Sequence, residues 1–247
     1  MKKYLLFFVI SFYCYLSCHA QTTNTVKKTV AFHPPDQSTL VLDSAGNTLP
    51  YENWHNKLIT GQYRFTFKVP GDQNAGLILT QLSAEEIAER YANMPEPPQG
   101  PYFNNGEPIK PFSIGGINKF KFNTEAWAGK VVVLNFWFIN CPPCRQEIPE
   151  LNKIVASYPN DSDIIFIAIC LDNKSDVEDF IKTSPFSYHQ VVNGKTYADL
   201  FGIRQYPTNV VVDKQGIVRY NTTGYGPGWE QWIDKAIKKS LAAEKSK

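Results

Sequence analysis

Cysteine is scarce in this 247-residue chain: there are five, and two of them, Cys14 and Cys18, fall within the first twenty residues. The other three, Cys141, Cys144 and Cys170, are too few for the disulfide framework of a small exported domain. One close pair and one outlying thiol fit a redox dithiol plus a spare cysteine. Histidine is equally sparse, with four residues, and His33 and His55 stand alone as ordinary surface or turn residues. Neither sign of charge is in surplus: 25 Lys and Arg face 23 Asp and Glu, and loss of Lys2 and Lys3 with a leader would balance them. The balance gives no electrostatic reason to expect nucleic acid as a partner. A charged fraction of 19% beside a hydrophobic fraction of 43% excludes a disordered chain.

Long apolar runs are also missing, apart from one short run at the start. Lys2 and Lys3 precede an uncharged stretch from Tyr4 to Leu16, shorter than the roughly 20 residues a bilayer requires. Cys18-His19-Ala20 then places small residues where a signal peptidase needs them, before Gln21. Residues 1–20 therefore read as a signal peptide, and the mature protein as periplasmic or otherwise extracytoplasmic. Two alternatives stand beside cleavage after Ala20. One is an uncleaved membrane anchor. The other is a lipid anchor at Cys18, because Leu16-Ser17-Cys18 resembles the end of a lipobox, although Tyr15 sits where that box usually has Leu.

Residues 21–105 predict a small β-rich domain. Tyr63, Phe65, Phe67 and Val69 alternate with Gln62, Arg64, Thr66 and Lys68, the pattern of a half-buried strand. Leu40–Leu42 and Leu77–Leu79 predict further short strands, with turn signals at Gly46-Asn47 and Pro70-Gly71. Ser83-Ala84-Glu85-Glu86 is a capping box that predicts a helix to about Asn93. The prolines and glycine between Pro95 and Pro101 read as a linker. From 106 to 247 strands and helices alternate. A hairpin is expected over Phe112–Phe122, buried strands over Lys130–Ile139 and Asp163–Leu171, and a strand over Tyr188–Val192. A second hairpin, Thr208–Asp213 with Ile217–Tyr220, crosses Lys214-Gln215-Gly216. Helices are expected over Glu147–Tyr158, Ser175–Thr183 (with Ser175 as cap), Thr196–Phe201 and Gly228–Ala243. This order fits an α/β sandwich around a partly parallel sheet.

Cys141-Pro142-Pro143-Cys144 follows directly on a buried strand and opens a helix. A helix N-terminus presents unpaired N–H groups and partial positive charge, both of which favour a thiolate at Cys141. The i, i+3 spacing brings both sulfurs onto one face, and Pro142 and Pro143 sit in the first turn, where a missing N–H costs little. Zinc would need two more ligands, and only Cys170 and isolated histidines remain. A c-type haem site would need His where Arg145 stands. A peroxidatic cysteine would need Thr at the position of Phe138. What remains is dithiol–disulfide chemistry, for which no cofactor is expected.

The run Gly129-Lys130-Val131-Val132-Val133-Leu134-Asn135-Phe136-Trp137, followed by Cys141-Pro142-Pro143-Cys144-Arg145-Gln146-Glu147-Ile148-Pro149-Glu150-Leu151, resembles the TlpA/ResA branch of the thioredoxin superfamily. The likeness covers a little over half the chain. It implies a thioredoxin fold, a three-layer α/β/α sandwich with an added N-terminal β-hairpin, and an extracytoplasmic protein-disulfide reductase. By the same resemblance Cys141 is the exposed attacking cysteine and Cys144 the buried resolving one. Glu147 replaces the buried strand carboxylate that Asn135 displaces, and becomes the general acid/base. Tyr206-Pro207-Thr208 is the loop whose proline is cis and whose flanking residues pair with substrate, beside Pro142 and Pro143. Trp137 and Pro149 are structural neighbours, and Pro149 kinks the helix. The implied partners are disulfide-containing or dithiol proteins and a membrane-embedded electron donor. A disulfide-forming oxidase and a redox-sensing binding module are the competing readings. Cys170, in a run apolar on both faces, reads as core.

Overall fold

The computed structural model describes residues 33–124, 129–159 and 162–243. The expected signal peptide and Cys18 lie outside them. The chain divides into two compact units, Met1–Pro34 and Pro35–Lys247, and the second contains all the elements below. In chain order these are β1 (Val41–Leu42), α1 (Tyr51–Leu58), β2 (Tyr63–Val69), β3 (Asp72–Gln81), α2 (Ala84–Ala92), β4 (Ser113–Gly115), β5 (Lys121–Asn123), β6 (Val131–Trp137), α3 (Pro142–Ala156), β7 (Ile164–Cys170), α4 (Lys174–Thr183), β8 (His189–Val191), α5 (Lys195–Phe201), β9 (Thr208–Val212), β10 (Val218–Thr223) and α6 (Glu230–Ala242).

Five strands form the main sheet in the order β10-β9-β6-β7-β8. β6, β7 and β8 are parallel, while β9 runs antiparallel to both β6 and β10. Every residue of β6 is buried, because the strand lies between two cores. Its period of two divides the side chains between them. Val131, Val133 and Trp137 enter a core with Ile148 and Leu151 of α3, Val177 of α4 and Ile237 of α6. Val132, Leu134 and Phe136 enter the opposite core, with Phe112, Phe122 and Phe201. Helices therefore cover one face, and α5 with the β4–β5 hairpin covers the other. Gly116 in that hairpin is required by close approach, since a Cβ there would collide with the Gln190 carbonyl.

A smaller sheet, ordered β1-β3-β2, packs on α1 through Val41, Trp54, Leu77 and Leu79. The sequence reading missed α1, which begins after Pro50 without a side-chain cap and buries only Trp54. The predicted inward face of β2 holds only in part. Tyr63 and Phe65 pack beside Trp54, whereas Phe67 and Val69 are 40% and 49% exposed. Those two lie at the end of β2 nearest its turn with β3, beyond the small core. The α4 cap is Asn173 rather than Ser175: the Asp176 N–H donates to Asn173 Oδ1 at 3.1 Å, and the Ser175 hydroxyl donates to the same oxygen.

The capping box forms as expected. The Glu86 N–H donates to Ser83 Oγ at 3.1 Å, and the Ser83 N–H donates to Glu86 Oε2 at 2.8 Å. Ser83→Ala should therefore lower unfolding stability by about 1 kcal/mol. Urea denaturation checks this, and an unchanged midpoint would show that α2 does not depend on its cap. α2 is also tied to the start of α6, where Gln231 Nε2 donates to the Tyr91 carbonyl at 2.8 Å. Residues 100–109 run along β10: the N–H groups of Gly100, Gly106 and Ile109 donate to the carbonyls of Asn221, Val218 and Gly216.

Candidate active site

β6 ends at Trp137, and four residues later Cys141 stands as the N-cap of α3. The approach is pinned from two directions. The Cys141 N–H donates to the Phe138 carbonyl at 3.2 Å, and the Ile139 N–H donates to Asp172 Oδ2 at 2.7 Å. Cys141 and Cys144 are joined as a disulfide, with Cα atoms 5.3 Å apart. Pro142 and Pro143 open α3 and carry no N–H. The first amide left to donate is that of Cys144, and it reaches Cys141 Sγ at 3.2 Å. The next, Arg145, donates to the Cys141 carbonyl. The helix terminus therefore offers the Cys141 sulfur one N–H. Pro149 lies inside α3 and leaves the Arg145 carbonyl without its usual helical donor.

The resemblance implied an exposed Cys141. The structure corrects this for the disulfide form: Cys141 is 2% exposed and Cys144 1%. The Cys141 sulfur is turned inward, toward its bond with Cys144 and the donated N–H. Both cysteines belong to the core cluster that contains Trp137, and Phe138, Ile139 and Tyr206 pack against that cluster. Pro142 remains exposed and Pro143 half-buried, so the two prolines stand at the surface beside the sulfurs.

The Tyr206–Pro207 peptide is cis, as expected. Tyr206 is half-buried, and its ring meets Phe138 edge-on at 5.5 Å. Pro207 is buried, and its carbonyl accepts from the Gly224 N–H at 2.8 Å. Thr208 is fully buried, and its hydroxyl is engaged with the Gln205 carbonyl and Thr223 Oγ1. Of the three loop residues singled out in the sequence, Tyr206 alone keeps an accessible side chain.

Glu147 lies one helical turn beyond Cys144 and is 3% exposed. Asn135 Nδ2 donates to its Oε1 at 2.6 Å, and Asn209 Nδ2 donates to its Oε2 at 2.9 Å. The two asparagines are register partners on β6 and β9, and they also bond to each other at 2.9 Å. Burial pushes the Glu147 carboxyl up to about 8, against the opposing pull of the Asn209 and Asn135 hydrogen bonds, and the Glu230 charge adds to the rise. A carboxyl of this kind exchanges protons near neutrality. Sequence reasoning missed Asn209. The available signal was a single amide ahead of three valines in β9.

Trp137 is fully buried between Phe180 and Phe186. Cys170, opposite it on β7, is buried, and its Sγ donates to Asp172 Oδ2 at 3.3 Å; burial pushes its thiol far up. His189 stacks on Phe120 and His55 on Tyr51. Among the described residues no group of His, Cys, Asp and Glu could hold a metal ion.

The AhpC/TSA family matches residues 106–221 of this chain. The thiol-disulfide oxidoreductase ResA of Halalkalibacterium halodurans is 33% identical over 121 residues, which are 48% of this chain and 69% of that protein. The chain belongs to the ResA-type family of thioredoxin-fold thiol–disulfide oxidoreductases. The thioredoxin-like protein YneN of Bacillus subtilis is 27% identical over 116 residues, 46% of this chain and 68% of its own. Among solved structures, a Chlorobium tepidum protein assigned as the thiol:disulfide interchange protein DsbE superposes with a TM-score of 0.50 at 26% identity, covering 56% of this chain and 98% of that one. A Bacteroides thetaiotaomicron structure assigned as a protein disulfide isomerase reaches 0.51 at 23% identity, covering 57% and 94%, and supports the fold. As a ResA-type protein the chain is an enzyme, a thiol–disulfide oxidoreductase. The region before residue 100, with its own small sheet, lies outside the matched family span.

Proposed function

We propose that this protein is an extracytoplasmic reductase of protein disulfides. Residues 106–247 form the redox domain, and 21–105 precede it as a small β-rich module. In this reading the Cys141 thiolate attacks one sulfur of a partner's disulfide. A mixed disulfide forms, and the partner's other sulfur leaves as a thiolate. Cys144 gives its proton to ionised Glu147, and its thiolate then attacks the Cys141 sulfur. The partner leaves with both sulfurs reduced, and this protein holds the Cys141–Cys144 disulfide. A membrane-embedded dithiol donor returns two electrons. On that return Cys144 departs as a thiolate, and protonated Glu147 supplies its proton. Tyr206, Pro142 and Pro143 present the apolar surface that receives the partner, while Pro207 and Thr208 shape the loop from beneath. The leader-like N-terminus supports the extracytoplasmic location, and Cys18 is a candidate lipid anchor.

The observation that carries the direction is the single N–H at the Cys141 sulfur. Strong disulfide oxidants owe their power to a stabilised reduced form, in which helix-terminal donors hold the thiolate. Two prolines remove donors at that position, which leaves the thiolate less stabilised and the disulfide less oxidising. Equilibration with glutathione should place the potential nearer the roughly −270 mV of thioredoxin than the roughly −120 mV of a strong oxidant. Cys144→Ala should accumulate covalent adducts at Cys141 with protein substrates. Without any such adduct the reading fails, and a potential near the oxidising limit would reverse the direction.

A further inference from the structure

We propose that Asn209, together with Asn135, is a positioning device that commits the Glu147 proton to Cys144. The proposal rests on the preceding reading, in which Glu147 exchanges a proton with that cysteine. The amide pair bridges the two central strands of the sheet, Asn135 on β6 and Asn209 on β9, in direct register. Both side chains are 1% exposed. Burying two primary amides beside valine-rich strands is unfavourable unless their polar atoms are used. Three donations are made, Asn135 to Glu147 Oε1 and to Asn209 Oδ1 and Asn209 to Glu147 Oε2, while Asn135 Oδ1 is buried without a partner.

This arrangement has a direction built into it. Each carboxyl oxygen of Glu147 receives an N–H from an asparagine, and neither amide turns an oxygen toward the carboxyl. Rotating Asn135 would bring its oxygen against Asn209 Oδ1. Rotating Asn209 would set its N–H groups against those of Asn135. The mutual Asn135–Asn209 bond couples the two amides, and turning both together would set their oxygens against both carboxyl oxygens, of which at most one carries a proton. A proton on Glu147 then meets no acceptor among the amide atoms that face the carboxyl. On the helix that carries Glu147, the group one turn back is Cys144, which becomes an acceptor when its sulfur leaves as a thiolate. The other groups whose charges bear on Glu147 come from elements packed around it: Glu230 of α6, Tyr188 just before β8, Tyr220 of β10 and Tyr225 in the loop after it. The tyrosines are held neutral by burial, and Glu230 is itself shifted up and is held by the Gly228 N–H. None of them donates to the Glu147 carboxyl. Asn209 also lies two residues after Pro207, so the strand that carries the partner-facing loop carries the clamp as well.

The test uses the full-length oxidised protein and two substitutions, Asn209→Leu and Asn209→Asp. Reduction by dithiothreitol, in which Cys144 is the leaving sulfur, is followed by stopped-flow tryptophan fluorescence across pH. Losing the Asn209 donor should move the pH midpoint of that step upward by on the order of one unit in the Leu variant. The Asp variant, which places a second carboxyl beside the first, should move it further. Mixed-disulfide formation in a Cys144→Ala background does not draw on the Glu147 proton, and Asn209→Leu should leave its pH profile in place. A midpoint that stays put, or an equal shift in both assays, overturns the proposal. If a variant folds poorly, Asn135→Leu removes the other donor from the other strand and should give the same upward shift, with failure to do so equally decisive. Absence of any Cys141 adduct in the Cys144→Ala background would instead overturn the underlying reading, independently of the clamp.

Discussion

Replacing Cys141 with serine should reduce protein-disulfide reduction to the uncatalysed background. Disulfide exchange needs a thiolate, and a serine hydroxyl is not ionised at working pH. Cys144 and Cys170 offer no substitute. Cys144 lies inside α3, whereas Cys141 caps its start, so the variant has no thiol at the attacking position. Cys170 is fully buried, its thiol is pushed far up by burial, and its proton is held on Asp172. Insulin reduction driven by dithiothreitol measures the effect, with Cys170→Ser as a control that should keep its rate. More than a few per cent of wild-type turnover in the Cys141 variant would mean that the chemistry lies elsewhere in the chain.

The second large effect concerns stability and pH. The Glu147 carboxyl stands near 8 in the folded oxidised protein and near 4.5 in the unfolded chain. Between these values the folded state holds a proton that the unfolded state has lost. The contribution of this group to stability is therefore complete below about pH 4.5 and is lost as pH rises through about 8. The difference corresponds to as much as about 5 kcal/mol, a large share of the 5–15 kcal/mol typical of a whole domain. Glu230 is shifted in the same direction and adds to the slope. The oxidised protein should thus resist urea better at pH 5 than at pH 9, and Glu147→Gln should flatten most of that dependence. Parallel urea titrations at the two pH values decide it. Equal slopes for wild type and variant would show that Glu147 is not a buried, proton-loaded acid.

Much of this site was legible because its signals are local. The apolar run before Cys141, the helical spacing after it and Glu147 one turn beyond Cys144 are all read within about twenty residues. The Ser83–Glu86 box was read the same way. Parts that depend on distant chain segments were not. Asn209 meets Glu147 across 62 residues of sequence, and a lone amide in β9 does not say which distant residue it meets. The inward turn of Cys141 depends on its bond to Cys144 and on a single donated N–H, which spacing does not specify. α1 escaped because its Tyr51, Trp54 and Leu58 spacing lies among polar residues and lacks a side-chain cap. The alternation in β2 gave the strand but not its depth, since Phe67 and Val69 lie beyond the core that covers Tyr63 and Phe65.

The strap of residues 100–109 beside β10 has a consequence for how an unfolded polypeptide meets this protein. An enzyme that handles other chains' disulfides is surrounded by extended segments seeking a strand to join, and open sheet edges invite such pairing indiscriminately. Here one border of the five-stranded sheet is occupied by the strap through Gly100, Gly106 and Ile109, and the other is met by Ile117, whose N–H is bound to the Gln190 carbonyl. A client chain therefore finds backbone contacts already made at both borders. In the proposed reading such a chain would instead meet the short loop ahead of β9, beside the sulfurs.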